Sequence, residues 1–154
     1  MKALRQLYKW GTAVVVLGVL VQIGAAGFGA FNASEHLGEN KPPLSEDTFD
    51  DGFDFHTGFG YIIFLGTIVL FLLALGARVG RPRIWWNLAF PVLVAVQIVL
   101  AWISEDVPFV GIFHGLGALA IFGRRGSLVG RAWMESRRRS ATAGAAPAAP
   151  ITEA

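Results

Sequence analysis

Residues 55–77 read FHTGFGYIIFLGTIVLFLLALGA and contain no Asp, Glu, Lys or Arg. A bilayer core of about 30 Å needs roughly 20 helical residues to cross it, and a chain in lipid must satisfy its own backbone hydrogen bonds. The stretch therefore predicts a membrane-spanning helix. Three further apolar stretches lie at residues 11–31, 84–103 and 107–123, the last of them short. The sequence as a whole predicts four spans.

The composition agrees with a membrane protein. Of the 154 residues, 54% are hydrophobic and 16% are charged, and the mean hydropathy is +0.54, which excludes an ordinary soluble domain. The chain has no cysteine, so disulfides, thiolate metal sites and iron–sulfur clusters are excluded. The sequence offers no nucleophile, phosphate-binding loop or carboxylate pair in the spans. This disfavours hydrolysis and phosphoryl transfer and leaves open whether the protein is an enzyme.

Charged residues are divided unequally between the two ends of the spans. One end, formed by both termini and the second connection, carries twelve Lys and Arg against two acids. The other end, formed by residues 32–54 and 104–106, carries one Lys against nine acids. Because cytoplasmic segments are enriched in Lys and Arg, the partition predicts a multi-pass protein of the cell inner membrane with both termini in the cytoplasm. The basic residues are thus expected at a membrane surface and not on nucleic acid.

The predicted fold is all-α: an integral membrane, up-down four-helix bundle over residues 1–123 with an acidic outer loop at residues 32–54. Residues 124–154 are predicted to form a cytoplasmic tail that is first basic and then, from Ser140, disordered. One alternative is that the first apolar stretch is a secretory signal peptide cleaved after small residues near Ala33. The length of that stretch favours a retained span.

Polar side chains inside a span are costly, which makes them the most informative residues of this chain. Four of them lie inside the predicted spans, one on each helix: Gln22, His56, Gln97 and His114. Each shares a helical face with small residues, as inward-facing positions of packed membrane helices do. A fifth polar residue, Asn87, lies beside Trp85 and Trp86 at the inner boundary and is expected to be solvated.

The two histidines form a candidate cofactor site. In an up-down bundle the second and fourth helices are diagonal neighbours, so His56 and His114 are predicted to face each other near the outer side. Two facing histidines are suitable axial ligands for a haem iron. The residue four positions after each histidine is small, Gly60 and Ala118, which leaves room for a flat porphyrin. The pattern predicts a b-type haem with both histidines as metal ligands.

Gln22 and Gln97 are predicted to complete this site, and Gln97 to tune it by hydrogen bonding to a histidine nitrogen or a propionate. The expected function is electron transfer or haem handling, with the bilayer and a redox partner or quinone as partners and a dimer as one oligomeric option. Two alternatives stay open. One is a cofactor-free accessory or packing protein with interfacial histidines, and the other is a copper, quinone or other enzyme.

The histidines differ in their predicted depth. His56 lies one residue inside its apolar stretch and His114 seven residues inside, a mismatch of roughly 8 Å at 1.5 Å per residue. An extension of the second helix through Phe53 would reduce it. His36 lies among polar residues of the outer loop, and no role in the site is expected for it.

Three motifs carry a resemblance to known proteins: residues 53–61 (FDFHTGFGY), 97–101 (QIVLA) and 111–118 (GIFHGLGA). With these motifs the chain resembles, over roughly residues 5–123, a family of small bacterial four-span membrane proteins. It is also similar to one four-helix half of haem A synthase, whose halves each place a histidine on the second and fourth helices. The resemblance implies paired haem ligands at the two histidines and a third-helix glutamine at Gln97. The synthase has two such bundles, whereas this chain has one.

Overall fold

The computed structural model describes residues 2–37 and 40–144. Four α-helices contain most of these residues, and the prediction of an all-α protein is confirmed. The helices are α1 (Lys2–Ser34), α2 (Glu46–Gly76), α3 (Arg81–Asp106) and α4 (Gly111–Gly144), with a short 3-10 helix (Pro108–Val110) before α4.

Three of the helices, α1, α2 and α3, are long and apolar enough to cross a membrane, judged over the described residues. The fourth predicted span, residues 107–123, corresponds to the 3-10 helix and the first part of α4. Helix α4 is not among the three candidate spans. Its apolar part is short, and the arginines that follow at 124 and 125 lie in the same continuous helix.

The helices pack in a ring. Each helix contacts the next one in sequence and α1 contacts α4, while no backbone contact between described residues joins α1 to α3 or α2 to α4. The α2–α3 connection is a tight turn in which Arg78 and Gly80 have φ values of 49° and 97°. Short connections make consecutive helices antiparallel. Helices α2 and α4 are therefore diagonal neighbours, in agreement with the sequence analysis.

Small residues allow α1 and α2 to approach closely. A β-carbon at Gly29 would lie 2.8 Å from the ring of Phe53, and one at Gly18 would lie 3.5 Å from Ile63. Close backbone approach through glycine is a common way for membrane helices to pack. It places Gln22, which lies between these glycines on α1, directly against His56 of α2.

The predicted outer loop at residues 32–54 is partly helical. Helix α1 continues to Ser34, and α2 begins at Glu46, so most of the acidic run is helical. The side chain of Ser45 accepts a hydrogen bond from the backbone N–H of Thr48 and caps α2. Glu46 and Asp47 lie in the first turn, where negative charge stabilises a helix.

The predicted tail is also partly wrong. Helix α4 continues without interruption to Gly144, so the basic residues from 124 onward are helical, as are residues 140–144, for which disorder was expected. Residues 124–144 contain six Arg and three Ala, and both residue types favour helix. The rest of the predicted disordered end, residues 145–154, lies outside the described residues.

The apolar core lies in the half of the bundle that contains the chain's N-terminus. It consists of buried side chains from all four helices, with Tyr8 and Phe64 packed against it: Val15, Leu70, Phe90, Val94 and Ile121. Ile63 and Thr67 lie on the same face of α2 as His56, which was predicted to point inward, and both are buried. The other half of the bundle contains a cavity.

Candidate functional site

A cavity of about 550 Å³ lies between the four helices. Its volume is within the range of roughly 300–1,000 Å³ that is typical of pockets for small molecules and cofactors. All six residues that the sequence analysis selected line it: Gln22, His56, Gly60, Gln97, His114 and Ala118. We refer to the four polar members, Gln22, His56, Gln97 and His114, as the histidine cluster.

The two histidine rings meet across the α2–α4 diagonal. Their centroids are 6.0 Å apart and their planes are inclined at 72°. The predicted mismatch in depth is absent, because α2 begins at Glu46 and His56 lies in its third turn. The ring of Phe53 packs edge-on against His56 with 6.3 Å between the centroids.

Backbone carbonyls orient both rings in the same way. The Nδ1 atom of His56 lies 3.1 Å from the carbonyl oxygen of Gln22, and Nδ1 of His114 lies 2.9 Å from the carbonyl oxygen of Gln97. A carbonyl oxygen can only accept a hydrogen bond, so each Nδ1 carries the proton. Each Nε2 then has a lone pair. In this tautomer an imidazole can bind a metal through Nε2 while a hydrogen bond at Nδ1 holds the ring in place.

The glutamine side chains are incompletely bonded. Nε2 of Gln22 donates to the carbonyl oxygen of His56, so Gln22 and His56 bond each other reciprocally. The Oε1 atoms of Gln22 and Gln97 are buried and have no hydrogen-bond partner among the described residues. A buried unsatisfied polar atom costs about 1–3 kcal/mol and calls for an explanation such as a ligand or a catalytic role.

Two glycines make room for these amides. A β-carbon at Gly60 would lie 3.0 Å from Nε2 of Gln22, and one at Gly117 would overlap the amide of Gln97. The sequence analysis assigned Gly60 to a flat cofactor, whereas its nearest neighbour is the Gln22 side chain. Gly117 was missed, although its position three residues after His114 puts it on the same helical face.

His36 lies outside the cavity. Its Nδ1 atom is 3.0 Å from the carbonyl oxygen of Asn32, at the end of α1, in a local contact of the loop. That His36 has no part in the site stays a prediction. Over the described residues, no group of three or more His, Cys, Asp or Glu side chains is placed to bind a metal ion.

A second polar group, which we call the asparagine cluster, lies at the opposite end of the bundle and consists of Tyr8, Asn87 and Arg125. Nδ2 of Asn87 donates to Oη of Tyr8 at 2.9 Å and to the carbonyl oxygen of Arg83 at 2.7 Å. Arg125 donates to Oδ1 of Asn87 and to the carbonyl oxygen of Trp86, both at 3.2 Å. The cluster joins α1, α3 and α4.

The expectation that Asn87 is solvated is wrong. Its side chain is 2% exposed and that of Arg125 is 6% exposed. The Arg125 guanidinium also lies 4.0 Å from the centroid of the Phe90 ring, which stabilises the cation. Asn87 lies three residues before Phe90 and seven before Val94, so it belongs to the inward face of α3. Extending that face by one turn would have found it.

Comparison with known proteins gives no further assignment: no family model, curated protein or solved structure matches the chain. The likeness to one half of haem A synthase therefore rests on the three quoted motifs and stays a prediction. The histidine cluster and its cavity are the observations from which a function can be argued.

Proposed function

We propose that this protein is a membrane-embedded b-type haem protein that transfers electrons or handles haem, with His56 and His114 as the axial ligands. One observation carries the proposal: the two rings face each other beside a cavity, with both Nδ1 atoms bonded to carbonyls and both Nε2 atoms free to bind a metal. Two imidazoles are the ligand set of many low-spin haems.

The residues fit such a group. A metal–imidazole bond is about 2.0 Å long, so two imidazoles on opposite sides of one ion have ring centres roughly 6 Å apart. The observed separation is 6.0 Å. Two histidines are also sufficient as protein ligands, because a porphyrin supplies the other four nitrogens. The cavity of about 550 Å³, which Ala118 lines, leaves space beside the rings.

The proposed topology has four spans and places both termini in the cytoplasm. The proposed location is the cell inner membrane. Large apolar side chains point away from the bundle on α1, α2 and α3, for example Leu17 and Leu65, each 60% exposed. Such a surface suits lipid. The fourth span uses the apolar start of α4, and its end is marked by Arg125, whose charge is bonded within the bundle. The unequal charge partition supports the orientation.

The protein's own groups have distinct roles in this proposal. The carbonyl oxygens of Gln22 and Gln97 fix the rings and raise the basicity of the Nε2 atoms. The apolar lining keeps the site dry, and the amide of Gln97 can hydrogen-bond to a bound group and adjust its potential. A bound haem would supply a one-electron couple, and a redox protein or a quinone would exchange electrons with it.

A cofactor-free packing protein is the second candidate. It is favoured by the reciprocal hydrogen bonds of Gln22 and His56, which join α1 to α2 without a ligand. An edge-on pair of aromatic rings with centroids 6.0 Å apart is also a stable contact in itself. The two candidates differ in one respect: only the haem protein has a use for the cavity and the free Nε2 atoms.

An absorption spectrum of the purified full chain in detergent, before and after addition of haem, tests the proposal. We expect a Soret band and the sharp α band of six-coordinate, low-spin haem, which His56→Ala and His114→Ala each alter. His36→Ala is the matched control and should leave the spectrum unchanged. Gln97→Ala should shift the reduction potential and keep the haem. A protein that stays colourless with added haem would support the packing protein instead.

A further inference from the structure

The two histidines are supported unequally by their helices. His56 lies in the third turn of α2, whose start is capped by the Ser45 side chain. His114 lies in the first turn of α4, after a 3-10 helix that has no side-chain cap at Val107. Helix ends open at a lower free-energy cost than helix interiors. The backbone that carries His114 is therefore the easier one to displace.

The two glutamines also hold the two histidines unequally. Gln22 bonds His56 twice, through its carbonyl oxygen to the ring and through its side-chain Nε2 to the His56 carbonyl. Gln97 bonds His114 once, through its carbonyl oxygen, and its side-chain Oε1 has no hydrogen-bond partner among the described residues. The ring of His56 is also packed by Phe53. Three contacts thus hold His56, whereas one hydrogen bond holds His114.

From this geometry we infer that His56 is the permanent axial ligand and His114 an exchangeable one, so that a small uncharged diatomic molecule can take the place of His114. The inference rests on the proposed haem. If haem is held by the two histidines, carbon monoxide, used here as the probe, would bind the reduced iron through its carbon in the place that Nε2 of His114 would give up. No electron is transferred, and the N–H group at Nδ1 of His114 would continue to donate to the Gln97 carbonyl oxygen. Gln97, whose Oε1 has no partner among the described residues, lines the same cavity and would lie beside the incoming molecule.

The test compares haem retention and carbon monoxide binding in the dithionite-reduced wild type, His56→Ala and His114→Ala, with His36→Ala as control. In the wild type we expect the rate of carbon monoxide binding to reach a plateau as the carbon monoxide concentration rises, because dissociation of His114 must come first and then limits the rate. His114→Ala should keep haem, become five-coordinate and bind carbon monoxide without this limit. His56→Ala should retain haem about tenfold more weakly than His114→Ala.

Equal retention by the two variants, or weaker retention by His114→Ala, would overturn the inference and leave the proposed haem intact. A wild type without haem would reject both. If His56→Ala does not fold, glycine variants of each histidine with added imidazole replace the alanine pair. Imidazole should then restore the carbon monoxide limit in His114→Gly. Restoration only in His56→Gly would assign the exchangeable position to the other side.

Discussion

The histidine cluster and the asparagine cluster are both polar groups enclosed by apolar helices, but their bonding differs. Every polar side-chain atom given for Asn87 has a partner, and Arg125 bonds both that side chain and a carbonyl. In the histidine cluster, both glutamine Oε1 atoms lack a hydrogen-bond partner among the described residues, and the two imidazoles are bonded there through Nδ1, which leaves Nε2 for a ligand. Only the histidine cluster lines the cavity.

The difference separates two uses of buried polarity. A fully bonded group that connects three helices fixes how they pack, and its removal should cost stability. An incompletely bonded group beside a cavity carries an energetic cost in the free protein, and such a cost is typical of functional sites. We therefore interpret the asparagine cluster as a structural connection and the histidine cluster as a ligand site.

The largest expected effect is on the asparagine cluster. Asn87→Leu removes the partner of Arg125 Nη1 and of Tyr8 Oη, so we expect the free energy of unfolding to fall by about 3 kcal/mol. Unfolding in mixed detergent and sodium dodecyl sulfate measures it. The double variant with Arg125→Met should recover part of the loss, because the buried charge is then removed as well. An unchanged stability would contradict the structural role of the cluster.

A smaller effect is expected from a pair of glycines on α4. Gly117→Ala places a β-carbon against the Gln97 amide, whereas a β-carbon at Gly115 meets nothing within 4 Å. We expect Gly117→Ala to lower haem affinity about tenfold by displacing Gln97, and Gly115→Ala to leave it within about twofold. Titration of the purified variants with haem measures both. Equal affinities would show that the position of Gln97 does not matter to the site.

The smallest expected effect is an increase in the free energy of unfolding, opposite in sign to the effect of Asn87→Leu. Gln97→Leu removes a buried oxygen that has no partner, so the haem-free protein should gain about 1 kcal/mol of unfolding free energy. Both substitutions replace a buried amide by leucine, which makes Asn87→Leu the matched comparison in the same unfolding assay. Destabilisation of similar size at both positions would remove the distinction between the clusters.

The sequence carried enough information to predict the helices and the pairing of the histidines. The lengths of the apolar stretches located the helices. The inward-facing positions of His56 and His114 were enough to predict that the two histidines meet, because antiparallel packing of consecutive helices places α2 and α4 on a diagonal. The start of α2 was missed because hydropathy excludes Asp and Glu from a span, although these residues are favourable in a first helical turn outside the lipid. Helix length and span length are different quantities.

The hydrogen bonds of the two clusters could not be predicted from the sequence. Ring orientation depends on which carbonyl lies beside Nδ1, and that depends on the relative shift of two helices by fractions of a turn. Likewise, Tyr8 and Arg125 are far from Asn87 in the chain, and only tertiary packing shows that they satisfy it. The helical periodicity of α3 predicts that Asn87 lies inside the bundle, but it does not predict which residues form hydrogen bonds with its side chain.

The electron paramagnetic resonance spectrum of the oxidised, haem-loaded wild type is the most direct test of the central claim. The rings are inclined at 72°, and their carbonyl bonds hold them in that orientation. Nearly perpendicular imidazole planes leave two iron d orbitals close in energy, so we expect a single low-field, low-spin signal. A high-spin signal, or the rhombic low-spin signal of parallel imidazole planes, would contradict ligation by His56 and His114 in the observed geometry.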